Sequence, residues 1–288
     1  MISLHIVAAI TLSTPMVSAT PWSPHTAETH LIGFSGDKAQ YRSTIEAHGA
    51  SQVRCFASSR ICIAELPDNQ IVEDIERLAD TRYVETDRIF AVELPPLTMS
   101  LSIPEEAPPS DALGTPECPD QWELSQIRAL EAWDLADGAD APVIAIQDSG
   151  YLTSHLEIAS RISGGYDYGN GDTEPEIEWD SGVPSHGTFI GAMIAGDPDN
   201  GLGRSGVAPY ASLNLQKIAD NSGALYFSYA VHALGDIAEG DLGVRVLNYS
   251  IGGSASSDAF RDAVEALGEA GILMITAAGN CSTEACSE

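Results

Sequence analysis

A carboxylate, an imidazole and a carboxamide stand at three points of this chain where the local pattern could give them chemistry. Asp148 closes the stretch P-V-I-A-I-Q-D-S-G, in which Val143 to Ile146 form the short unbroken apolar run of a parallel strand buried on both faces. That places the carboxylate at a strand's C-terminal edge, where ligands and catalytic groups collect in open α/β sheets. His186 lies in S-H-G-T-F-I-G-A-M-I-A-G, where Phe189, Ile190, Met193 and Ile194 make one apolar helical face and put the histidine in the helix's first turn. A histidine at a helix end also serves simply as a capping group. Asn280 ends A-A-G-N after the apolar run Leu273, Met274, Ile275, and its amide could donate to a developing oxyanion. Asn beside Gly is equally at home in an ordinary turn. Asn248-Tyr249-Ser250-Ile251-Gly252-Gly253 closes a further strand.

The elements that must position these residues follow a regular alternation. After the Asp148 strand, Leu213 to Ile218 reads as a strand, Ala224 to Ala238 as a helix and Val244 to Tyr249 as a strand. Asp258 to Leu267 then reads as a helix and Ile272 to Ala277 as a buried strand. Such β-α-β alternation predicts a parallel sheet with right-handed crossovers and flanking helices. Ahead of it, Trp122, Leu124, Ile127, Leu130 and Trp133 recur at amphipathic spacing. Residues 28–95 form a separate small unit in the order βαββαβ. Its strands are expected around Leu31 to Phe34, Val53 to Phe56, Ile61 to Leu66 and Tyr83 to Val92. One helix runs from Lys38 to Ala47, and a second opens at Pro67 with Ile71, Ile75 and Leu78 on one face. This is a ferredoxin-like α+β order, which by itself carries no function. Residues 96–119 are a proline-rich linker, expected to be extended and exposed, and residues 120–288 make up the second domain.

The 288 residues are 44% hydrophobic, ordinary for a globular protein, and carry a formal net charge of −29. An acidic surface repels phosphates and disfavours nucleic acid as a partner. Lys38 and Lys217 are the only lysines. A lysine-poor acidic surface favours solubility and attracts cations, so both simple solvation and calcium binding are open. Residues 1–19 read as a secretory signal, apolar from Ile2 to Leu12 and ending in Val17-Ser18-Ala19, although no basic residue precedes the apolar run. No later stretch reaches the roughly 18 continuous apolar residues of a membrane span. The mature protein is therefore expected to be soluble and either extracellular or periplasmic, with no membrane association after signal removal. The five cysteines fit an oxidising compartment. Cys55 with Cys62 and Cys281 with Cys286 could bridge locally, leaving Cys118, but free thiols or another pairing remain open.

Taken together and in order, D-S-G at Asp148, H-G-T at His186, G-V-A-P at Gly206, N-Y-S-I-G-G at Asn248 and A-A-G-N at Ala277 resemble the motifs of the subtilisin-like serine peptidases. E-L-P-D and Y-V-E-T-D in the first unit look like the inhibitory propeptide of such enzymes. The resemblance implies a subtilisin-like α/β sheet, incomplete at its C-terminus, preceded by an inhibitor-like propeptide domain acting in cis. It implies that Asp148 orients His186, that His186 is the general base, and that Asn280 hydrogen-bonds the oxyanion. Ser250, Ile251 and Gly252 would be the strand against which a protein or peptide substrate pairs. No cofactor is required for this chemistry.

The sequence also departs from the family's pattern. Phe189 stands where a second histidine is usual, and Tyr249 and Ile251 where Met and Leu are common. The family's nucleophile lies in a G-T-S motif downstream of A-A-G-N, and these 288 residues contain no G-T-S. The expectation is that the coding region continues past Glu288 and supplies it. As given, the chain would lack the serine to activate. A non-catalytic reading, in which a propeptide-like inhibitor is joined to a pseudo-protease that binds peptides, fits the same fold. Within the acidic stretch from Asp167 to Asp180, structural calcium is a candidate, with Glu157, Asp167, Asp172 and Asp180 as its ligands; a solvated loop is the alternative.

Overall fold

The computed structural model describes residues 26–90, 121–136, 138, 140–177, 185–198, 200, 203–240, 242–253 and 255–279. The reading of residues 1–19 as a signal, the linker at 96–119, Asn280, Asp180, Cys118, Cys281 and Cys286 lie outside them.

The N-terminal unit runs β1 (Thr29–Phe34), α1 (Lys38–Ala47), β2 (Ser51–Phe56), β3 (Ile61–Glu65), α2 (Asn69–Glu76) and β4 (Thr81–Thr86). Its sheet has the order β2-β3-β1-β4, and every pair is antiparallel. Asp37 and Asp68 cap the two helices by accepting from the N–H groups of Gln40 and Ile71. Because the cap is Asp68, α2 starts two residues after Pro67, and Leu78 falls beyond its end. Ile32, Phe34, Tyr41, Ile45 and Ile75 form the core under the helices. Cys55 and Cys62 are directly opposed on β2 and β3 and are joined as a disulfide. The last strand stops at Thr86 instead of continuing to Val92, because Ile89 leaves the sheet to bridge Tyr226.

The second unit contains α3 (Trp122–Gln126), α4 (Ala129–Trp133), β5 (Val143–Asp148), α5 (Leu156–Ala159), β6 (Ile162–Asp167), α6 (His186–Ala195) and β7 (Ser212–Lys217), followed by α7 (Phe227–Glu239), β8 (Val244–Tyr249), α8 (Asp258–Glu269) and β9 (Leu273–Thr276). The sheet is parallel throughout, in the order β6-β7-β5-β8-β9. From β5 the chain crosses to β6 at one edge, returns through β7 beside β5, and then crosses to β8 and β9 on the other side, so the C-terminal end of β5 lies at the reversal of strand order, where an α/β sheet opens a crevice. Ile144 and Ile146 face a core shared with Ile158, Ala195 and Leu213. Ala145, between them, faces the opposite core, which contains Ala230, Leu234, Leu247 and Leu267.

Four expectations need correction. The amphipathic stretch at 122–133 is two short helices, broken where Arg128 takes φ 59°, which leaves Trp122 72% and Ile127 58% exposed. Strand β6 was not anticipated, since Ile162-Ser163-Gly164-Gly165 carries little β propensity. Its glycines fit because a Cβ on Gly165 would lie 2.8 Å from the carbonyl oxygen of Leu215 on β7. Helix α7 starts at Phe227 instead of Ala224, because Leu225 and Tyr226 are used in bridges to Ala219 and Ile89. The run at Leu273 to Ile275 is not buried: β9 is an edge strand, with Leu273 58% and Ile275 47% exposed.

The antiparallel sheet packs its second face on α7 and α8. Leu31, Phe56, Ile61 and Ile63 join the core containing Tyr229, Ala233, Leu234 and Ala263. Gly235 lets the Phe56 ring lie against α7, where any Cβ would overlap it. Carboxylates near the end of β4 meet the starts of both helices. Glu85 accepts from the N–H of Asp258 at 2.7 Å and from Ser257 Oγ at 2.7 Å, while Asp87 accepts from the N–H of Ser228 at 3.0 Å. Those N–H groups have no partner within their own helix, and the helix dipole favours an anion there. Tyr83 donates to Asp262 at 2.6 Å, Arg54 pairs with Asp236 at 2.6 Å and Arg82 pairs with Asp262 at 2.7 Å.

Candidate active site

Asp148 is the last residue of β5 and is fully buried. One carboxylate oxygen, Oδ1, accepts from the Ser149 N–H at 2.8 Å and from Ser149 Oγ at 3.2 Å. The other, Oδ2, lies 2.8 Å from Nδ1 of His186. An ionised carboxylate can only accept, so opposite one the imidazole donates from Nδ1, leaving Nε2 with its lone pair as a base. The hydrogen bond from His186 to Asp148 is the largest cause holding the imidazole's pKa above its ordinary value, against the opposing effect of burial. The arrangement can take a proton at Nε2 and stabilise the resulting cation.

Close approach of α6 to β5 makes this contact, and small residues permit it. The helix opens with Ser185, whose Oγ accepts from the Thr188 N–H at 3.2 Å. Thr188 Oγ1 accepts in turn from the Leu152 N–H at 2.8 Å, tying the helix start to the loop after Asp148. A Cβ on Gly187 would sit 2.7 Å from the Gly150 carbonyl oxygen and 2.9 Å from Asp148 Cβ; on Gly191 it would meet Ile158 at 3.2 Å. The buried face of α6 is therefore Gly187, Thr188, Gly191 and Ala195. Of the expected apolar face, half-buried Ile190 and Ile194 pack against the core around Ile146, whereas Phe189 is only half-buried and Met193 is 44% exposed, so the face is corrected to one of small residues flanked by the two isoleucines. Tyr151, fully buried, donates to the Ile146 carbonyl at 2.6 Å and anchors the chain that leaves Asp148. Ser149, Tyr151 and the packing role of Gly187 were missed in the sequence, where only the glycine of H-G-T offered a signal.

Ser250, Ile251 and Gly252 follow β8, one strand away from β5. Ile251 is buried, Gly252 is exposed, and Ser250 Oγ donates to Asn248 Oδ1 at 2.8 Å. Asp148 and His186 are thus brought together, while Asn280 falls outside the described residues.

The acidic candidates among the described residues, Glu157, Asp167 and Asp172, do not gather. Asp167 Oδ2 lies 2.6 Å from Lys217 Nζ, both side chains being wholly buried, and its Oδ1 accepts from the N–H groups of Gly169 and Asn170. Glu157 accepts from the Arg204 N–H at 2.9 Å, and Asp172 is exposed, its carboxylate accepting from the Glu174 N–H. Among the described residues no group of three or more His, Cys, Asp or Glu side chains could hold a metal ion. Nor, among them, is any helix long and apolar enough to cross a membrane.

A family model described as the subtilase family matches residues 139–287. Thermitase of Thermoactinomyces vulgaris is 32% identical over 165 residues, which covers 57% of this chain and 56% of thermitase. Subtilisin E of Bacillus subtilis (strain 168) is 26% identical over 260 residues, covering 88% of this chain and 60% of subtilisin E. Among solved structures, fervidolysin from Fervidobacterium pennivorans superposes with a TM-score of 0.62 at 21% identity, over 89% of this chain and 40% of fervidolysin. The chain thus spans little more than half the length of the curated relatives it matches.

Proposed function

This chain belongs to the subtilase family, and on that premise we propose that it is the proenzyme form of a secreted serine endopeptidase, hydrolysing peptide bonds of protein or peptide substrates by acyl transfer. The reading rests on one observation: the 2.8 Å contact between Asp148 and His186 at the C-terminal edge of β5. His186 takes the proton of a serine hydroxyl and returns it to the leaving amine, while Asp148 fixes the tautomer and balances the cation. Asn280 is assigned to the oxyanion, and Ser250 to Gly252 to pairing with the substrate backbone. The nucleophile is assigned to a G-T-S-type motif that these 288 residues do not contain, so the activity belongs to a product that includes it.

The N-terminal unit is assigned the role of propeptide, acting in cis. Supporting this, residues 88–90 run antiparallel to the segment at Tyr226, with Phe90 N–H donating to the Leu225 carbonyl at 3.1 Å and Phe227 N–H to that of Arg88 at 3.2 Å. Phe90 is buried against Phe227 with ring centroids 4.9 Å apart, so a stretch of its own chain already augments a free edge as a bound peptide would. The motif of residues 1–19 supports export, and the chemistry needs no cofactor.

The test is peptidase activity of a product carrying the G-T-S motif, measured with and without His186→Ala. Activity abolished by that substitution and by a serine-directed inhibitor is expected. A folded product with no activity, whose residues 26–90 nonetheless inhibit other subtilases, would establish the non-catalytic reading instead.

A further inference from the structure

The strand of the N-terminal unit that grips α7 is itself held by a covalent bond. Arg54 and Phe56 of β2 both lie on the face turned to α7: Arg54 pairs with Asp236 at 2.6 Å, and the Phe56 ring lies where Gly235 leaves room for it. The two also meet each other, with the guanidinium 5.5 Å from the ring centroid. Cys55, between them, turns to the opposite face, into the core under α1 and α2, and is joined to Cys62 of β3. Cys62 is flanked in the same way by Ile61 and Ile63, which belong to the core that contains Ala233 and Leu234 of α7.

Little else keeps β2 in place. It is an edge strand of its sheet. Its ladder with β3 shifts register between Ser51 and Arg54, where Gln52 takes φ 50°. The contiguous register beyond that break consists of Arg54 with Ile63, Cys55 with Cys62, and Phe56 with Ile61, so the disulfide is the middle of three pairs. At the tip of the hairpin the Ser58 N–H donates to Glu239 of α7 at 2.8 Å.

We infer that a dithiol reductant releases the N-terminal unit from α7 by opening the Cys55–Cys62 disulfide. One thiolate of the reductant attacks the sulfur of Cys55, which is half-buried where Cys62 is wholly buried, and the Cys62 sulfur leaves as a thiolate. The second thiol of the reductant then displaces Cys55. Two electrons and two protons pass to the chain, which ends with two thiols, and the reductant ends as a disulfide.

Two effects then free β2. Sulfurs that are no longer bonded need a wider separation, and the core around Cys62 is closely packed, so β2 must move away from β3. The short loop between the two cysteines also loses the cross-link that restricted the open hairpin. Because β2 carries both Arg54 and Phe56, its displacement withdraws the ion pair and the ring from α7 together. The contacts of Glu85 and Asp87 with the helix starts remain, but they lie by β4, at the opposite edge of the sheet. Linkage makes the effect reciprocal: the docked sheet resists the reductant, and Arg54→Gln, which weakens docking, should make the bond easier to reduce.

That this release would uncover the cleft rests on the propeptide reading; the release itself does not. It is read on the whole chain by amide hydrogen exchange at pH 7.5, before and after dithiothreitol, with alkylation of Cys55 and Cys62 to show that the bond has opened. The reporters are the N–H of Ser58, bonded to Glu239, those of Ser228 and Asp258, bonded to Asp87 and Glu85, and that of Phe90, bonded to the Leu225 carbonyl. The expected result is about 10- to 100-fold faster opening of these amides after reduction, the scale set by cross-linking a short loop, with β5 unchanged. A chain carrying Cys55→Ala and Cys62→Ala should exchange at the reduced rate from the outset and respond no further to dithiothreitol, which separates this bond from any made by the other cysteines. Exchange unchanged by reduction, or a double variant that matches the oxidised parent, overturns the inference. Equal rates of reduction in the parent and Arg54→Gln chains overturn it without the double variant. Absence of peptidase activity in a serine-containing product would count against the proposed function and leave these outcomes untouched.

Discussion

Gly187→Ala offers the sharpest test of how the dyad is held. A Cβ there would lie 2.7 Å from the Gly150 carbonyl oxygen, 2.7 Å from Tyr151 Cε1 and 2.9 Å from Asp148 Cβ, three atoms that belong to β5 and the chain leaving it. Contacts of this kind relax at about 3.5–4.0 Å, so α6 must withdraw by roughly 0.8–1.3 Å. Tyr151 cannot yield instead, because it is fully buried and its hydroxyl is bonded at 2.6 Å. Because α6 carries His186, its withdrawal from β5 should lengthen the 2.8 Å bond between Asp148 and His186 beyond the roughly 3.2 Å at which such bonds remain good. Overpacking of this kind costs about 1–3 kcal/mol of stability. The specific signature is the titration of His186. Its pKa is raised chiefly by the bond to Asp148, so in the variant it should fall to the ordinary 6.5 or below, since burial opposes the charge. The ring resonance is assigned by its loss in a His186→Gln chain and followed by NMR from pH 4 to 9. In a serine-containing product the same displacement should lower kcat/KM by about 10²-fold. A Gly187→Ala chain whose His186 retains its raised pKa would refute the reasoning, because the glycine would then not be what allows the contact.

Asp148→Asn should likewise drop the His186 pKa, and in a serine-containing product should cost about 10⁴ in kcat by favouring the wrong tautomer; an unchanged titration would remove Asp148 from the site. Because the raised pKa of His186 stabilises the fold fully below its unfolded value of 6.5, that contribution should fade as pH rises through the folded value. Urea melts across that range, compared with His186→Gln, measure it. Asp167→Asn leaves Lys217 buried beside a neutral group and should cost about 3–5 kcal/mol in chemical denaturation. A loss under 1 kcal/mol would mean that the pair is not buried as described. Glu85→Gln removes the anion at the start of α8 and should increase exchange of the Asp258 N–H at pH 7.5 by several-fold, without altering β5.

What could be read along the chain was whatever local pattern dictates. The unbroken apolar run ahead of Asp148 and the alternation of strands and helices after it marked β5 and β8, and the order of motifs marked the family. Asp148 and His186 were legible because a strand end and a helix start are local events, even though 38 residues separate the two in sequence. Tertiary structure decided the rest. Large apolar residues on α6 promised a large-residue face, but close approach to β5 selected Gly187 and Gly191 as the buried side. The pairing of Asp167 with Lys217 was not legible because 50 residues separate the two, and nothing local announces a buried ion pair. The contacts of Glu85 and Asp87 with the helix starts exist only because the sheet is laid on α7 and α8. Periodicity encodes which face an element hides. It does not encode what lies against that face, because that depends on contacts between residues far apart in the chain.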